Sequence, residues 1–305
     1  MEEQPECRDA LIPLREAIGR FQARNFIVDC RGRKLELGAI PRIMGILNVT
    51  PDSFSDGGKF LATEAAAAHG IAMAESGADI VDVGGESTRP GSSPVPVEEE
   101  IARVVPVIRE ISRRTDAMIS VDTTKCAVAR EAVAAGACII NDTSAFADDP
   151  DMASFAADSG CAAVLMHRRG TPATMQVAPF YRSLFDELLD EISEKVDAAE
   201  KTGVSRDRIL IDPGIGFGKR TEDNLALHRH LADLRNIGRP IVFGASRKSF
   251  IGRITGKDPA ERAFGAAASV AVSVLRGADI LRVHDVSDMK DVIRVAQAIR
   301  EGAEC

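Results

Sequence analysis

The sequence predicts an α/β protein that folds as a (β/α)8 barrel, and three observations support this prediction. From residue 41 onward, short apolar runs typical of buried strands alternate with segments of helical periodicity or composition. The alternation repeats eight times, as an eight-stranded parallel barrel requires. A Gly-Ala pair followed by an apolar run occurs at 77–82, 136–141 and 277–282, with glycine where a helix commonly ends. An open, doubly wound sheet is the structural alternative.

The predicted elements follow one another without a composition break that would mark a second domain. Strands are expected at 42–48, 79–84, 117–122, 138–142, 162–167, 208–212, 240–245 and 279–284. Helices are expected after them, at 63–77, 97–113, 125–136, 150–159, 181–202, 221–235, 258–276 and 287–301. Residues 25–37 predict a β-hairpin that turns at Arg31-Gly32 and plugs one end of the barrel. We therefore expect a short N-terminal extension over 1–24 and one barrel domain over 25–305.

Composition and charge restrict the classes of function. The net charge is −8 and the isoelectric point is about 5.3, which argues against nucleic acid as the main partner. The acidic N-terminus lacks the apolar core of a secretory signal, and the run 263–275 is too short to span a bilayer. Six scattered cysteines favour buried thiols in a reducing compartment over disulfides. These features predict a soluble, cytoplasmic protein with small-molecule substrates, no nucleic acid and no membrane.

Polar side chains stand at or near the ends of most predicted strands. In a (β/α)8 barrel, the loops at that end build the active site. A lone polar residue could instead cap the next helix, and for Asp82 and Asp142 this interpretation is equally good. So many polar strand ends in one chain favour a site over capping alone. The residues are Asn48, Asp82, Asp122, Asn141, His167, Asp212, Arg282 and His284.

Three of the loops contain residues suited to anions. DVGGESTRPG at 82–91 places Thr88 and Arg89 beside a Pro-Gly turn, which indicates either a phosphate clamp or a solvated surface loop. GASRKSF at 244–250 has adjacent cations, which indicate a surface patch or a site for an anion and a carbonyl. Arg282 and His284 lie two residues apart on one face of the last strand, which favours anion binding over a structural salt bridge.

The segment IDPGIGFGK at 211–219 places a carboxylate before a glycine-rich loop. An inward carboxylate is costly unless it is hydrogen-bonded, and a heterocycle with an amino group beside a ring N–H would satisfy Asp212 with two parallel bonds. Phe217 could stack on such a ring or equally belong to the core. The segment lacks the features of a P-loop or a dinucleotide fingerprint. Neither zinc-ligand spacing nor a nucleophile elbow occurs in the sequence, so covalent catalysis is not indicated.

Five motifs together carry a resemblance to a known family. GILNVTPDSFSDGG, DVGGESTRPG, DPGIGFGK, SRKSF and RVHDV stand in the order and at the spacing of bacterial dihydropteroate synthases, which the chain resembles from residue 25 onward. The resemblance implies a transferase of alkyl groups that condenses a dihydropterin bearing a CH2-diphosphate with 4-aminobenzoate. The products would be 7,8-dihydropteroate and pyrophosphate, in folate biosynthesis. It also implies Mg2+ as cofactor, a sulfonamide target and, with the small-residue run at 263–275, a homodimer.

The resemblance also implies roles for individual residues. The edge of the pterin would be read by Asp122, Asn141, Asp212 and Lys248, between apolar walls formed by Met166 and Phe217. The diphosphate would contact Asn48, Thr88, Arg89, Arg282 and His284, with the metal near Asn48. The aminobenzoate would contact Phe54, Pro90 and Ser249. The catalytic group would comprise Asp56, Arg89, Lys248 and Arg282.

The chain departs from the family pattern at three places. Residues 143–146 lack the expected glycines, Arg168 adds a positive charge, and Ala245 stands where a larger apolar residue is common. Two other functions stay open at this point. A methyltetrahydrofolate–corrinoid methyltransferase would not need the SRK cluster or the Arg282/His284 pair. A pterin-binding paralogue without activity would be favoured by loss of Asp56, Arg89, Lys248 or Arg282, and all four are present.

Overall fold

A computed structural model of the chain describes residues 15–23, 25–50, 58–87 and 92–302. The strands are β1 (Phe26–Cys30), β2 (Arg33–Leu37), β3 (Arg42–Asn48), β4 (Ile80–Gly84), β5 (Met118–Asp122), β6 (Ile139–Asp142), β7 (Ala162–Met166), β8 (Ile209–Asp212), β9 (Val242–Phe243) and β10 (Ile280–Val283). β1 and β2 form an antiparallel hairpin, and the other strands form one eight-stranded sheet.

The sheet closes on itself into a barrel. Its strands are ordered β8-β7-β6-β5-β4-β3-β10-β9, and every pair is parallel. A parallel bridge between Ile211 and Ile241 joins the two remaining edges. The order follows the chain around the ring, with β3 beside β10. The prediction of a (β/α)8 barrel is confirmed, and the open doubly wound alternative is wrong.

Helices cover the outside of the barrel. Residues 15–22 are helical (α1), and the further helices are α2 (Gly58–Glu75), α3 (Val97–Arg114), α4 (Cys126–Ala135), α5 (Met152–Ser159), α6 (Leu184–Thr202), α7 (Thr221–Arg229), α8 (Ser249–Thr255), α9 (Ala263–Leu275) and α10 (Val286–Glu301). Short 3-10 helices occupy Arg206–Arg208, Leu231–Ile237 and Pro259–Glu261. In the parts of the chain that the structure describes, no helix is long and apolar enough to cross a membrane.

The side chains of each barrel strand alternate between the interior and the helices, because successive strand residues point to opposite faces. One parity, which includes Val83, Ile119 and Leu165, belongs to a large cluster with the helices. The other parity, which includes Met44 and Ile280, forms a second cluster inside the barrel. Toward the carboxyl ends of most strands, the inward-facing side chains are polar instead of apolar. The alternation therefore decides which polar residues face the mouth of the barrel.

The hairpin packs against the amino-terminal end of the barrel. Val28, Cys30, Leu35 and Leu37 are buried in the same cluster as the inward apolar residues. The backbone N–H of Arg31 donates to Gly160 O at 3.0 Å, which ties the turn to the segment before β7. The structure thus has the hairpin at the predicted residues, on the end opposite the polar strand ends. The division into an extension over 1–24 and a domain over 25–305 stays a prediction.

The observed elements differ from the predicted ones at three places. The expected strand 240–245 is reduced to two residues, since Pro240 has no N–H to donate and Gly244 lacks a side chain to pack. The expected helix 221–235 ends at Arg229 and continues as a 3-10 helix. The short helix α8 was not predicted, and a 3-10 helix separates it from α9.

Candidate active site

The inward-facing ends of the barrel strands bring one set of polar and apolar side chains together. Its members continue the inward parity of their strands, and they are Asn48, Asp82, Asp122, Asn141, Met166, Asp212 and Arg282. All except Asn48 and Arg282 are buried. Each of these residues except Asp82 was given a role in the predicted site; for Asp82, a place in the site and a helix cap were equally good interpretations.

Arg282 is held between two carboxylates. Its Nε donates to Asp82 Oδ2 at 2.7 Å, and its Nη2 donates to Asp122 Oδ2 at 2.5 Å. Asn141 Nδ2 donates to the same Asp82 oxygen at 3.0 Å. Residues from β4, β5, β6 and β10 are therefore joined in one hydrogen-bonded network beneath the mouth of the barrel.

Burial and neighbouring charge shift the ionisation of these groups. Burial raises the pKa of Asp122 to about 7, although Arg282 opposes the shift, and the Asp82 carboxylate adds to it. Burial and the Arg282 guanidinium lower the pKa of Lys248 to about 8, although Asp212 and Asp122 favour its charged form. Burial alone would lower the pKa of Arg282, but the two aspartates raise it above its usual value. Arg282 is therefore charged, while Asp122 and Lys248 can change charge near neutral pH.

Asp212 leads into a loop that lies tightly against β7. Its Oδ1 accepts a hydrogen bond from the Gly214 N–H at 2.7 Å, and burial raises the pKa of the carboxyl group. Gly214 has φ +70°, and a Cβ there would lie 1.9 Å from the carbonyl oxygen of His167. Only glycine fits this position. The glycines thus allow a close approach of two backbones, and the loop forms a wall of the pocket.

An apolar wall stands beside Asp212. Met166, Met175 and Phe217 form a small buried cluster of their own. Lys248 Nζ lies 4.1 Å from the centroid of the Phe217 ring, a cation–π distance. The structure thus brings Met166, Phe217 and Lys248 together, as predicted, at the edge of the carboxylate network.

His167 does not face the site. It follows β7 with the outward parity, and its Nδ1 accepts a hydrogen bond from buried Lys219 Nζ at 2.9 Å. Its Nε2 then carries the ring proton and donates to Glu191 Oε2 at 2.9 Å. Burial and Lys219 lower the pKa of His167 to about 4, and burial lowers the pKa of Lys219 to about 7. Lys219 also donates to Phe217 O at 3.2 Å, so this network supports the glycine-rich loop from behind.

Asp142 also points outward and holds a turn. Its Oδ1 accepts from the backbone N–H of Ser144 at 2.6 Å, and its Oδ2 accepts from the N–H of Phe146 at 3.2 Å. Ala145 and Phe146 have φ values of +52° and +68°, in the left-handed region that favours glycine. The glycines expected at 143–146 are absent from the sequence, yet the backbone keeps the conformation that suits them. The Asp142 hydrogen bonds offset that strain.

The residues of the SRKS segment (246–249) differ in burial and in their hydrogen-bond partners. Ser246 is buried and its Oγ lies 3.0 Å from His284 Nδ1. Arg247 has φ +57° and its side chain pairs with Asp285 at 2.5 Å. Ser249 is exposed at the first residue of α8. Lys248 lies near enough to Arg282 for the guanidinium charge to lower the Lys248 pKa, and His284 continues the inward parity of β10 after Arg282.

Some predicted site residues lie outside the described residues: Phe54, Asp56, Thr88, Arg89 and Pro90. What is described is the start of the second loop, where Lys125 Nζ donates to Glu86 Oε2 and to buried Glu100 Oε2, both at 2.5 Å. This cluster was not predicted from the sequence. Beside it, a cavity of about 370 Å3 opens between Glu86, Asp122, Thr143 and Arg168. Arg168 itself pairs with Asp148 at 2.8 Å.

Asn48 is the last residue of β3, half-buried, and has the inward parity of that strand. Within the described ranges, no group of three or more His, Cys, Asp or Glu residues could hold a metal ion. Mg2+ prefers oxygen ligands and is commonly bound by one or two protein groups, several waters and substrate phosphates. A single hard ligand such as Asn48 therefore fits a Mg2+ ion whose other ligands are water or phosphate oxygens.

Comparison with known proteins places this geometry in a family. Residues 44–284 match the family model described as pterin binding enzyme. The dihydropteroate synthase of Synechocystis sp. is 45% identical over 258 residues, which cover 84% of this chain and 89% of that protein.

Solved structures agree with that match. Xanthomonas albilineans dihydropteroate synthase with 4-aminobenzoic acid has a TM-score of 0.84 at 47% identity, covering 90% of this chain and 98% of that one. Yersinia pestis dihydropteroate synthase with a sulfonamide drug has a TM-score of 0.85 at 38% identity, covering 90% and 100%. The chain therefore belongs to the pterin-binding enzymes. Within that family it groups with the dihydropteroate synthases, which are transferases.

Proposed function

We propose that this protein condenses (7,8-dihydropterin-6-yl)methyl diphosphate with 4-aminobenzoate, giving 7,8-dihydropteroate and pyrophosphate. The observation that carries the proposal is the group of buried acceptors Asp122, Asn141 and Asp212, which lies beside the cations Lys248 and Arg282. Acceptors buried at the mouth of a barrel suit a flat heterocycle with several N–H donors, and nearby cations suit its diphosphate.

The pterin edge is read by hydrogen bonds. The Asp212 carboxylate accepts from the amino group and the adjacent ring N–H of the pterin, and Asp122 and Asn141 contact the remaining edge. Lys248 donates to the ring carbonyl. Met166 and Phe217 cover the faces of the ring, which is supported by their burial and by the 4.1 Å separation of Lys248 and Phe217. A site of this kind discriminates strongly against rings that lack the matching donors.

The diphosphate is bound by Arg282, His284 and Asn48, with Thr88 and Arg89 from the second loop. Asn48 would also hold Mg2+ together with the diphosphate oxygens. When bound, Mg2+ neutralises the charge that develops on the leaving group. The Arg282 guanidinium, held in place by its two carboxylates, stabilises the same charge without having to reorganise.

The reaction itself is a substitution at the methylene carbon. The bond from that carbon to the diphosphate oxygen breaks, and the electron pair leaves with pyrophosphate. The electron-rich dihydropterin delocalises the cation left on the methylene, and the aniline nitrogen of 4-aminobenzoate then forms the new C–N bond and loses a proton. Because a weakly basic amine attacks a cation, no strong general base is needed. The cation must be protected from water, and the loops that contain Asp56 and Arg89 would exclude it.

The second substrate lies toward the exposed side of the pocket. Ser249 meets the carboxylate of 4-aminobenzoate, and Phe54 and Pro90 contact its ring. The exposure of Ser249 at the start of α8 supports a position near the entrance. A sulfonamide, which resembles 4-aminobenzoate in shape, would compete at this position.

The protein also forms a homodimer in this proposal. Phe264, Val272 and Leu275 on α9 are exposed, and so are Val295 and Ile299 on α10, which packs against α9. Apolar side chains on two adjacent helices make a surface that a second copy could cover. A cytoplasmic location remains part of the proposal, and the buried free thiols Cys30, Cys126, Cys138 and Cys161 are compatible with a reducing compartment.

Pyrophosphate release tests the function directly. The purified protein is incubated with the dihydropterin diphosphate and Mg2+, with and without 4-aminobenzoate, and dihydropteroate is measured by mass. We expect pyrophosphate and dihydropteroate in equal amounts when 4-aminobenzoate is present. Tight binding of the pterin without either product would contradict the proposal and indicate a binding protein.

A further inference from the structure

One buried carboxylate lies under the pocket and connects its two halves. Asp82 on β4 is fully buried, and its Oδ2 accepts hydrogen bonds from Asn141 on β6 and from Arg282 on β10. β4 stands two strands away from each of them, in opposite directions around the barrel. The contacts therefore cross the barrel interior. Asp82 was considered a possible helix cap from the sequence, and the structure shows that this interpretation is wrong.

The bond to Asn141 decides how that amide faces the pocket. Because Nδ2 donates to Asp82 at 3.0 Å, the amide plane is fixed and Oδ1 is turned away from the carboxylate. Asn141 then presents an acceptor toward the mouth of the barrel. Without Asp82, either end of the amide could face a ligand. The Asp82 carboxylate thus determines whether this position reads a donor or an acceptor.

The bond to Arg282 fixes the guanidinium in the same way. Nε is directed at Asp82 and Nη2 at Asp122, so two carboxylates define the plane of the group. The hydrogen bonds within the described residues use these two nitrogens and leave Nη1 for a ligand. A guanidinium with a single carboxylate partner could rotate about that partner. With two it has one orientation.

We propose that Asp82 is a positioning residue that sets the pterin-reading amide of Asn141 and the anion-binding guanidinium of Arg282 with a single oxygen atom. The inference deepens the proposed function and rests on it. In this role Asp82 acts through Oδ2 on the two side chains that would contact the substrate. Loss of Asp82 therefore weakens the binding of the ring and of the diphosphate together.

The test compares two Asp82 variants with a matched control. Asp82→Asn keeps the shape, and Asp82→Ala removes the acceptor. Ser120→Ala is the control, because Ser120 is fully buried on β5, pairs with Asp82 in register, and its Oγ has no hydrogen-bond partner among the described residues. Melting temperature and far-UV circular dichroism report whether each variant is folded.

Binding and kinetics are then measured separately. We expect Asp82→Ala to raise the KM for the dihydropterin diphosphate by about 10-fold or more, while the KM for the aminobenzoate substrate stays within about twofold. Calorimetry with 6-hydroxymethylpterin and with pyrophosphate should show that both ligands bind more weakly. Ser120→Ala should match the wild type. The proposal would be overturned if Asp82→Ala weakened the binding of 6-hydroxymethylpterin, pyrophosphate and the aminobenzoate equally. It would also be overturned if none of the three bound more weakly.

A pH profile gives a readout that a purely structural residue would not move. The groups facing Asp122 are Arg282, Asp82, Glu100 and Lys248, and the Asp82 charge raises the pKa of Asp122. In a folded Asp82→Asn variant, the acidic limb of pterin binding should therefore shift to lower pH. An unchanged limb would contradict the assignment. Pterin binding by a wild-type protein that forms no dihydropteroate would refute the proposed function while leaving the Asp82 comparison valid.

Discussion

Burial raises the pKa of both Asp122 and Asp212, and the nearby charges of Arg282 and Lys248 oppose that shift. Burial disfavours the charged form of each of these groups, and the nearby opposite charges recover part of that free energy. The balance leaves Asp122 with a pKa of about 7 and Lys248 with a pKa of about 8. The site is therefore set to bind a ligand that supplies N–H donors to the carboxylates and an acceptor to the lysine.

These pKa values predict a pH dependence. Below about pH 7, Asp122 takes up a proton and loses an acceptor; above about pH 8, Lys248 loses its charge. We expect kcat/KM for the dihydropterin diphosphate to follow a bell-shaped profile with limbs near these two values. Steady-state kinetics from pH 5 to pH 10 in steps of about 0.5 would measure it. A flat profile across that range would exclude both groups from pterin binding.

A substitution of Lys248 tests its role at the ring. Lys248→Ala should lower kcat/KM by about 100-fold or more, because the proposed charged hydrogen bond to the pterin carbonyl would be lost in a buried pocket. The melting temperature should change little. Lys257→Ala, which removes an exposed lysine nine positions along the chain, is the control and should behave as the wild type. Unchanged kinetics in Lys248→Ala would remove this residue from the site.

Most site residues in the described part of the chain could be predicted because strand ends are visible in the sequence. Asp122, Asn141 and Asp212 each close an apolar run. The alternation of the strands would also have separated inward Asp82 from outward Asp142 and His167, had it been applied to every strand. The partners of those residues could not be predicted, since Lys219 and Glu191 approach His167 from distant parts of the chain. Such contacts are set by tertiary packing.

At the scale of elements, the hairpin β1–β2 completes the core at the end of the barrel away from the site. Leu35 is 5% exposed and pairs with Val28, whereas Ile27 on the same hairpin is 59% exposed. The hairpin therefore buries one face and leaves the other in water. Its position at the amino-terminal end indicates a role in stability.

Two alanine substitutions compare these faces. Leu35→Ala should lower the free energy of unfolding by about 2–5 kcal/mol, the range for large-to-small changes in a core. Ile27→Ala should change it by less than about 0.5 kcal/mol. Denaturant unfolding measures both, and the KM values of the folded variants should match the wild type. Similar small effects from both substitutions would contradict the packing of the hairpin in the barrel.

The elements that the sequence mispredicted are short or irregular. β9 has two residues, and α8 has seven, which is too short for a periodic pattern to be recognised. The long elements α3, α6 and α10 were predicted within about three residues at each end, as is usual for strongly periodic segments. The bounds of the other elements depend on strand register and on the closure of the barrel, which the local sequence does not show. Ile241, for example, joins β8 only through a single bridge.

At the scale of the whole molecule, the exposed apolar surface on α9 and α10 predicts association. Phe264 is 84% exposed, which is unusual for phenylalanine in a monomer. We expect sedimentation equilibrium at micromolar concentration to give twice the chain mass of 32.6 kDa. Phe264→Glu should shift the protein toward monomer, because it would bury a charge in the interface.

Val177→Glu is the control for that experiment. Val177 is 76% exposed and lies in the loop after β7, away from α9 and α10. It should leave the mass unchanged. A wild-type monomer at micromolar concentration, or a dimer that Phe264→Glu does not affect, would contradict this assembly.

The barrel brings residues from opposite sides of the ring to one pocket, and in the proposed function Asp212 accepts two hydrogen bonds from the pterin. The most direct measurement is the rate of dihydropteroate synthesis by Asp212→Asn, compared with Asp207→Asn on the exposed 3-10 helix before β8. An amide at position 212 turns one acceptor into a donor facing a donor, so kcat/KM should fall by about 100-fold or more. Asp207→Asn should retain wild-type activity. Full activity in folded Asp212→Asn would contradict the account of the site.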